Sequence, residues 1–251
     1  METLKFWKPE SFEIASYRWN FRERKNQQFK GSGSDSGNAL YTYNEYGFRG
    51  DSPKKEGYKI MSVGCSHVEG IDVNDHQTWP HYLSKMIDNG VDLNLGISGR
   101  SNDYIARTIM AWVDEFKPNL VCIMYTYPHR KEFYTSKGKI EPYHPNPWGY
   151  FKDSIQGQKE FQYITSLKNE EDDMMNWFKN HQLITYYLKS KNIPFIWNGT
   201  FVGTDYTDEN RFDGGYPILK DENKHATYIQ NEEYAKKLYE HIKKVGIIKN
   251  L

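Results

Sequence analysis

The sequence predicts an α/β fold built on a mostly parallel sheet with helices on both faces, and three observations carry that expectation. Four short apolar runs, YKIMSVG from Tyr58, VDLNLG from Val91, NLVCIMYTY from Asn119 and IPFIWNG from Ile193, have the length and composition of buried strands. Segments of helical period separate them, as the crossover connections of parallel strands require. The loops that follow the runs are rich in Gly, Ser, Asn, His and Arg, and in open sheets of this kind chemistry gathers beyond the carboxyl ends of the strands.

Taken in order, residues 1–40 read as an arm. The first thirty mix aromatics and charges without a sustained period, and KGSGSDSGN (30–38) reads as a flexible loop. Residues 41–251 are expected to form one domain. ALYTYNEYGFRGDS alternates enough for a short strand with a turn at Gly47 or Gly50. QTWPHYLSKMIDNG predicts a helix with Pro80 in its first turn and Gly90 as its stop. Ser101 precedes NDYIARTIMAWVDEF, which sets Ile105, Ile109, Trp112, Val113 and Phe116 on one helical face before Pro118 ends it. Residues 128–168 are rich in Pro, Tyr, His and Lys without a period and predict a long insertion, a kind of segment that tends to be functional. NEEDDMMNWFKNHQLITYYLKSKN predicts a long helix whose solvated acidic start suits the positive end of its dipole. NEEYAKKLYEHIKKV predicts the last helix.

Lys+Arg and Asp+Glu both total 33, so no global field draws the chain to nucleic acid or to an anionic membrane. The longest apolar runs fall short of the roughly 20 residues that span a bilayer. METLKFWKPES lacks a signal-peptide core, so the expected location is cytoplasmic or otherwise unsecreted. Cys65 and Cys122 each lie in an apolar run and read as buried thiols rather than a disulfide framework. Tyr, Trp and Phe reach 16% of the chain beside a mean hydropathy of −0.86, which fits either an aromatic core or a sugar-binding floor. The sequence carries no signal of oligomeric state.

GCSHVEG (64–70) poses the chemical question. Small residues around Ser66 let the backbone turn sharply at a strand end, present the hydroxyl and leave the N–H free. The same pattern also serves as a phosphate-binding turn or a helix cap. Val68 stands where a G-x-S-x-G nucleophile elbow needs glycine, and neither a Walker loop nor a G-x-G-x-x-G is present. A serine nucleophile needs a base, and His225 lies in the loop feeding the last helix with Asp221 and Glu222 just upstream. His67 and Glu69 flank Ser66, either lining a pocket or forming a polar loop pair. No pair of His, Cys, Asp or Glu residues shows metal-ligand spacing, so no metal is expected.

GCSHVEG resembles the first sequence block of the SGNH (GDSL-type) hydrolases, where G-D-S-x or G-C-S-x follows the first strand. NLGISGRS resembles their second block, KHATYIQNEEYAKKLYEHI resembles the closing histidine block, and YNEYGFRG is similar to an N-S-x-G-F-R-G stretch found in many members. The blocks run in order from about residue 41 to 245. The resemblance implies a three-layer α/β/α sandwich with a flavodoxin-like sheet and a serine esterase that needs no cofactor. It implies Ser66 as nucleophile, His225 as general base, and the N–H groups of Ser66 and Gly99 as oxyanion donors.

Two departures stand out. The third block, G-x-N-D, has no counterpart near NLVCIMYTYPHR, so its asparagine donor must be replaced; Asn102, Tyr127, His129 and Arg130 are candidates, with Arg130 and Asn102 preferred. The carboxylate that orients the histidine falls at Glu222 by the family's spacing and at Asp221 by residue type, and Asp221 is the expected partner. A small-molecule or glycan ester is the expected substrate, an O-acetylated carbohydrate first. Tyr143 and Trp148 offer rings for sugar stacking, His67, Tyr127 and His129 would line the groove, and His144 lies in the same insertion. A catalytically weak or inactive glycan-binding or structural module and an O-acyltransferase are the alternatives.

Overall fold

Two alternating sets of apolar side chains on the central strands explain the layering. Along Leu120–Tyr125, residues Leu120, Cys122 and Met124 join one buried cluster while Val121, Ile123 and Tyr125 join another. A strand whose side chains point alternately to opposite faces must then be covered twice. The computed structural model describes residues 24–31, 39–134, 140–143, 169–199, 206, 208–215 and 225–248.

In chain order the elements are β1 (Gln28–Gly31), β2 (Ala39–Thr42), β3 (Arg49–Gly50), β4 (Tyr58–Val63), α1 (Ser66–Glu69), α2 (Trp79–Met86), β5 (Gly90–Asn94), α3 (Asn102–Phe116), β6 (Leu120–Tyr125), β7 (Lys131–Tyr134), β8 (Ile140–Tyr143), α4 (Glu170–Ser190), β9 (Phe195–Gly199) and α5 (Tyr228–Lys244). The main sheet has the order β3-β5-β4-β6-β9, parallel throughout except for β3, which pairs antiparallel with β5. Its four parallel strands therefore follow the flavodoxin-like order 2-1-3-4, with the topological switch at β4. Helices α2 and α5 cover one face through Trp79, Leu83, Tyr234, Leu238 and Ile242. Helices α3 and α4 cover the other through Ile105, Ile109, Trp112, Phe116, Trp177, Ile184 and Leu188. Burying each large aliphatic side chain contributes roughly 1.5–3 kcal/mol, so these two seams dominate the stability of the sheet.

Among the described residues, two further strand pairs lie outside the main sheet. β1 pairs antiparallel with β2, and β7 with β8. Cys65 and Cys122 are free and buried, as their apolar runs imply. Helix α3 ends at Phe116, with Lys117 in a left-handed conformation as its cap ahead of Pro118. The stop of α2 differs from expectation. The helix ends at Met86, Asn89 rather than Gly90 takes the left-handed φ of 50°, and Gly90 opens β5. Glycine is needed at position 90 for space, since a Cβ there would lie 2.0 Å from the Ser84 carbonyl oxygen. Among the described residues no helix is long and apolar enough to cross a membrane. The stretch 144–168, which includes His144 and Trp148, lies outside the described residues.

Candidate active site

The loops after β4, β5 and β6 are tied together by their own polar groups. Ile97 N–H donates to the Gly64 carbonyl at 3.2 Å, and Asn94 Nδ2 donates to the Val68 carbonyl at 2.7 Å. A Cβ at Gly64 would lie 2.4 Å from Val68 and 2.8 Å from the Met124 carbonyl, so only glycine lets α1 begin this close to β6. Gly70, in the left-handed region, closes α1 after one turn. A serine between glycines is thus the product of two close approaches, one at each end of a four-residue helix.

Ser66 is the first residue of α1 and is 8% exposed. Among the described residues its hydroxyl donates one hydrogen bond, to Cys65 Sγ at 4.0 Å, and its N–H donates none. Gly99 has a φ of +72°, and its N–H is likewise without a hydrogen bond among the described residues. The neighbouring Ser98 N–H donates to Glu69 Oε2 at 2.7 Å. The other oxygen of that carboxylate accepts from Tyr43 Oη at 2.9 Å and from Arg24 Nη1 at 3.3 Å. Glu69, 2% exposed, is therefore a tie between the arm, α1 and the loop that carries Gly99, and of the two sequence readings it takes the polar loop partner's place rather than lining a pocket.

His225 stands two residues before Thr227, the cap of α5, which accepts from Gln230 N–H while the Gln230 side chain accepts from Thr227 N–H. Asn231 on the first turn of α5 donates to the carbonyls of Ala226 and Thr227 and accepts from Trp79 N–H, which fixes the loop to α2. Ala226 and Val68 belong to the same buried cluster, so the residue after His225 and a residue of the Ser66 helix share one packing unit. The rings of His67 and His225 lie 5.2 Å apart. Nδ1 of His225 faces Asp72 Oδ2 at 3.4 Å. Asp221 and Glu222 lie outside the described residues.

A second histidine–carboxylate pair exists, His181 Nε2 with Asp208 Oδ2 at 3.0 Å, and exposure separates the two. The His181 side chain is 0% exposed, sandwiched among Trp177, Trp197 and Tyr206, with Tyr125 Oη 3.1 Å from its Nδ1. His225 is 25% exposed at the mouth of the loops.

Arg130 and Asn102, the two preferred substitutes for the missing asparagine donor, have different fates. Asn102 is buried at the start of α3, and its amide is committed to backbone: Nδ2 donates to the carbonyls of Thr126 at 3.1 Å and Tyr127 at 3.4 Å, and Oδ1 accepts from Thr126 N–H at 2.9 Å. Arg130 donates from Nη1 to Thr126 Oγ1 at 2.9 Å and lies over the Tyr127 ring, which stacks on His129. Its buried Nε has no partner among the described residues.

Charge in the site is tuned by burial first. His67 is pushed down to about 3 by burial, then by the positive potential of His225 and Arg130, so it is neutral at ordinary pH. Burial also lowers His225, and Arg130 lowers it further, while Asp72 and Glu69 pull it back up. A neutral imidazole with a carboxylate on one nitrogen is what a general base requires. Asp72 and Thr126 lie in no motif of the sequence.

No protein-family model and no curated protein matches this chain. Solved structures do resemble it. A member of the lipolytic protein G-D-S-L family from Veillonella parvula shares 15% identity over 74% of this chain and 98% of its own, with a TM-score of 0.34. A family 3 carbohydrate esterase from Clostridium thermocellum shares 15% over 78% of this chain and 100% of its own, also at 0.34. A variant of an acetyl-xylooligosaccharide esterase from Geobacillus shares 12% over 80% of this chain and 100% of its own, at 0.34. Overlaps at a TM-score of 0.34 carry no residue role, activity or substrate from those proteins to this chain.

Proposed function

We propose that the chain is a serine-dependent ester hydrolase of the SGNH type. The observation that carries this reading is the meeting of the Ser66 helix with His225, across the 5.2 Å ring contact of His67 and His225 and the shared packing of Val68 and Ala226. In the reaction Ser66 Oγ adds to the ester carbonyl as His225 Nε2 takes its proton. The tetrahedral oxyanion is met by the N–H groups of Ser66 and Gly99 and by the Arg130 guanidinium, which takes the part of the missing asparagine. The imidazolium returns its proton to the leaving alcohol, and water, deprotonated by the same imidazole, releases the acyl group from Ser66. Side-chain rotation must exchange the Cys65 contact of the Ser66 hydroxyl for His225, a tightening common between free and substrate-bound sites.

A small acyl group, acetyl first, on a carbohydrate alcohol is the substrate class this reading favours. Support comes from the stacked Tyr127 and His129 rings beside Arg130, a flat surface suited to a sugar face. The test is labelling with a fluorophosphonate probe read by intact-protein mass, comparing wild type with Ser66→Ala and His225→Ala. One adduct in wild type and none in either variant supports the esterase. No adduct in folded wild type overturns it in favour of a binding module, the reading consistent with a serine resting on Cys65. Product analysis with and without an acceptor sugar separates hydrolysis from acyl transfer.

A further inference from the structure

We infer that Asp72, presented on the loop behind the nucleophile by a clamp of Tyr41 and Arg49, is the carboxylate that positions His225. The inference rests on the esterase reading and assigns the part that the sequence pattern places upstream of the histidine. It draws on four observations. First, Asp72 Oδ2 is 3.4 Å from His225 Nδ1, which leaves Nε2 for the serine proton. Second, Asp72 has a φ of +71°, a conformation uncommon for a residue with a side chain and concentrated at functional sites.

Third, that conformation is held from both sides. Asp72 N–H donates to Tyr41 Oη at 2.8 Å. Arg49, 1% exposed, donates from Nη1 to the carbonyls of Glu69 at 2.8 Å and Gly70 at 2.5 Å, and from Nη2 to that of Val73 at 2.6 Å. One guanidinium thus grips the chain before and after Asp72. Fourth, the clamp is itself braced: Arg49 Nε pairs with Asp75 Oδ1 at 2.6 Å, Nη2 reaches the Leu40 carbonyl at 3.1 Å, and its Cζ lies 4.2 Å over the Tyr41 ring. Tyr41 and Leu40 are on β2 and Arg49 is on β3, so the segment that resembles the family's glycine-phenylalanine-arginine-glycine stretch is the scaffold of the carboxylate.

During catalysis Nδ1–H donates to Asp72 while Nε2 accepts the Ser66 proton, and the imidazolium formed faces one carboxylate charge. Four groups act on that ring: Asp72 and Glu69 raise its proton affinity, Arg130 lowers it, and His67 is its neutral neighbour. Replacing Asp72 with asparagine removes a raising charge, so the His225 pKa must fall.

The experiment measures the second-order rate of fluorophosphonate labelling against pH for wild type, Asp72→Asn, Tyr41→Phe, the double variant, Asp221→Asn and Glu222→Gln, with thermal unfolding of each and an NMR titration of His225. Asp72→Asn is expected to lower the plateau rate at least about a hundredfold, since an amide favours the wrong imidazole tautomer, and to move the acid limb and the His225 titration to lower pH. Tyr41→Phe is expected to cost roughly five- to tenfold, the worth of about one hydrogen bond. In the Asp72→Asn background it should cost nothing further, which a merely structural tyrosine would not show. Asp221→Asn and Glu222→Gln should label like wild type. An unchanged rate and His225 titration in folded Asp72→Asn overturns the inference alone, as does a loss confined to Asp221→Asn or Glu222→Gln. Wild type that does not label, or that labels equally after His225→Ala, sinks the esterase reading and the inference with it.

Discussion

Asn102 and Thr126 exchange a reciprocal pair of hydrogen bonds, Thr126 N–H to Asn102 Oδ1 at 2.9 Å and Asn102 Nδ2 to the Thr126 carbonyl at 3.1 Å. The pair locks the start of α3 to the end of β6, and Thr126 Oγ1 then receives Arg130. The amide is therefore a brace for the loop after β6, and its donors are spent before a substrate arrives. Asn102→Ala would leave buried backbone groups of Thr126 without partners and should destabilise the fold by about 2–4 kcal/mol. Urea titration reads this directly, and a variant as stable as wild type would show that the brace is dispensable.

Arg130 should behave differently from Asn102. Arg130→Met removes a proposed oxyanion donor and should lower kcat on an aryl acetate about 10²–10³-fold with little change in fold stability. It also removes a charge that depresses His225. The His225 pKa then rises, the base is neutral only at higher pH, and the acid limb of kcat/KM shifts upward. A reduced kcat with an unmoved acid limb would separate Arg130 from His225 and weaken its placement beside the base.

Asp92 on β5 predicts a signature in stability. It is 2% exposed, and burial, with the nearby Asp51 next in size, pushes its carboxyl up to about 8. Its Oδ1 has no partner among the described residues. Between about pH 4 and pH 8 the carboxyl is protonated in the folded chain and ionised in the unfolded one. The unfolded state binds fewer protons there, so stability is greatest below that window and is lost as pH rises through it, by up to about 1.4 kcal/mol per unit. Asp92→Asn removes the dependence, and its stability relative to wild type should climb steadily from pH 5 to pH 8. Denaturation curves that stay parallel across that range would refute a neutral Asp92.

The element pattern is legible in the sequence. The long strands are mostly apolar on both faces because both faces are covered, and the helices carry a one-sided stripe because only one face is. The caps at Thr78, Ser101, Asn169 and Thr227 are equally local, since each acts on N–H groups within its own turn. Ser66 and His225 can be named because each sits at a strand end or ahead of a helix, whereas Gly99 and Arg130 are reached through the resemblance to the SGNH blocks.

What the sequence by itself determined was therefore everything set by near neighbours along the chain: strand and helix order, helix starts, buried thiols and the loops where chemistry gathers. Tertiary structure alone decided the partners. It turned Asp72 toward His225, committed the Asn102 amide to Thr126, buried His181 against Asp208 and recruited Tyr41 and Arg49 to hold a left-handed aspartate. These are pairings between segments far apart in the chain, set by which loops the sheet order brings to its carboxyl edge. Side-chain spacing along a strand or helix has no physical means of recording them.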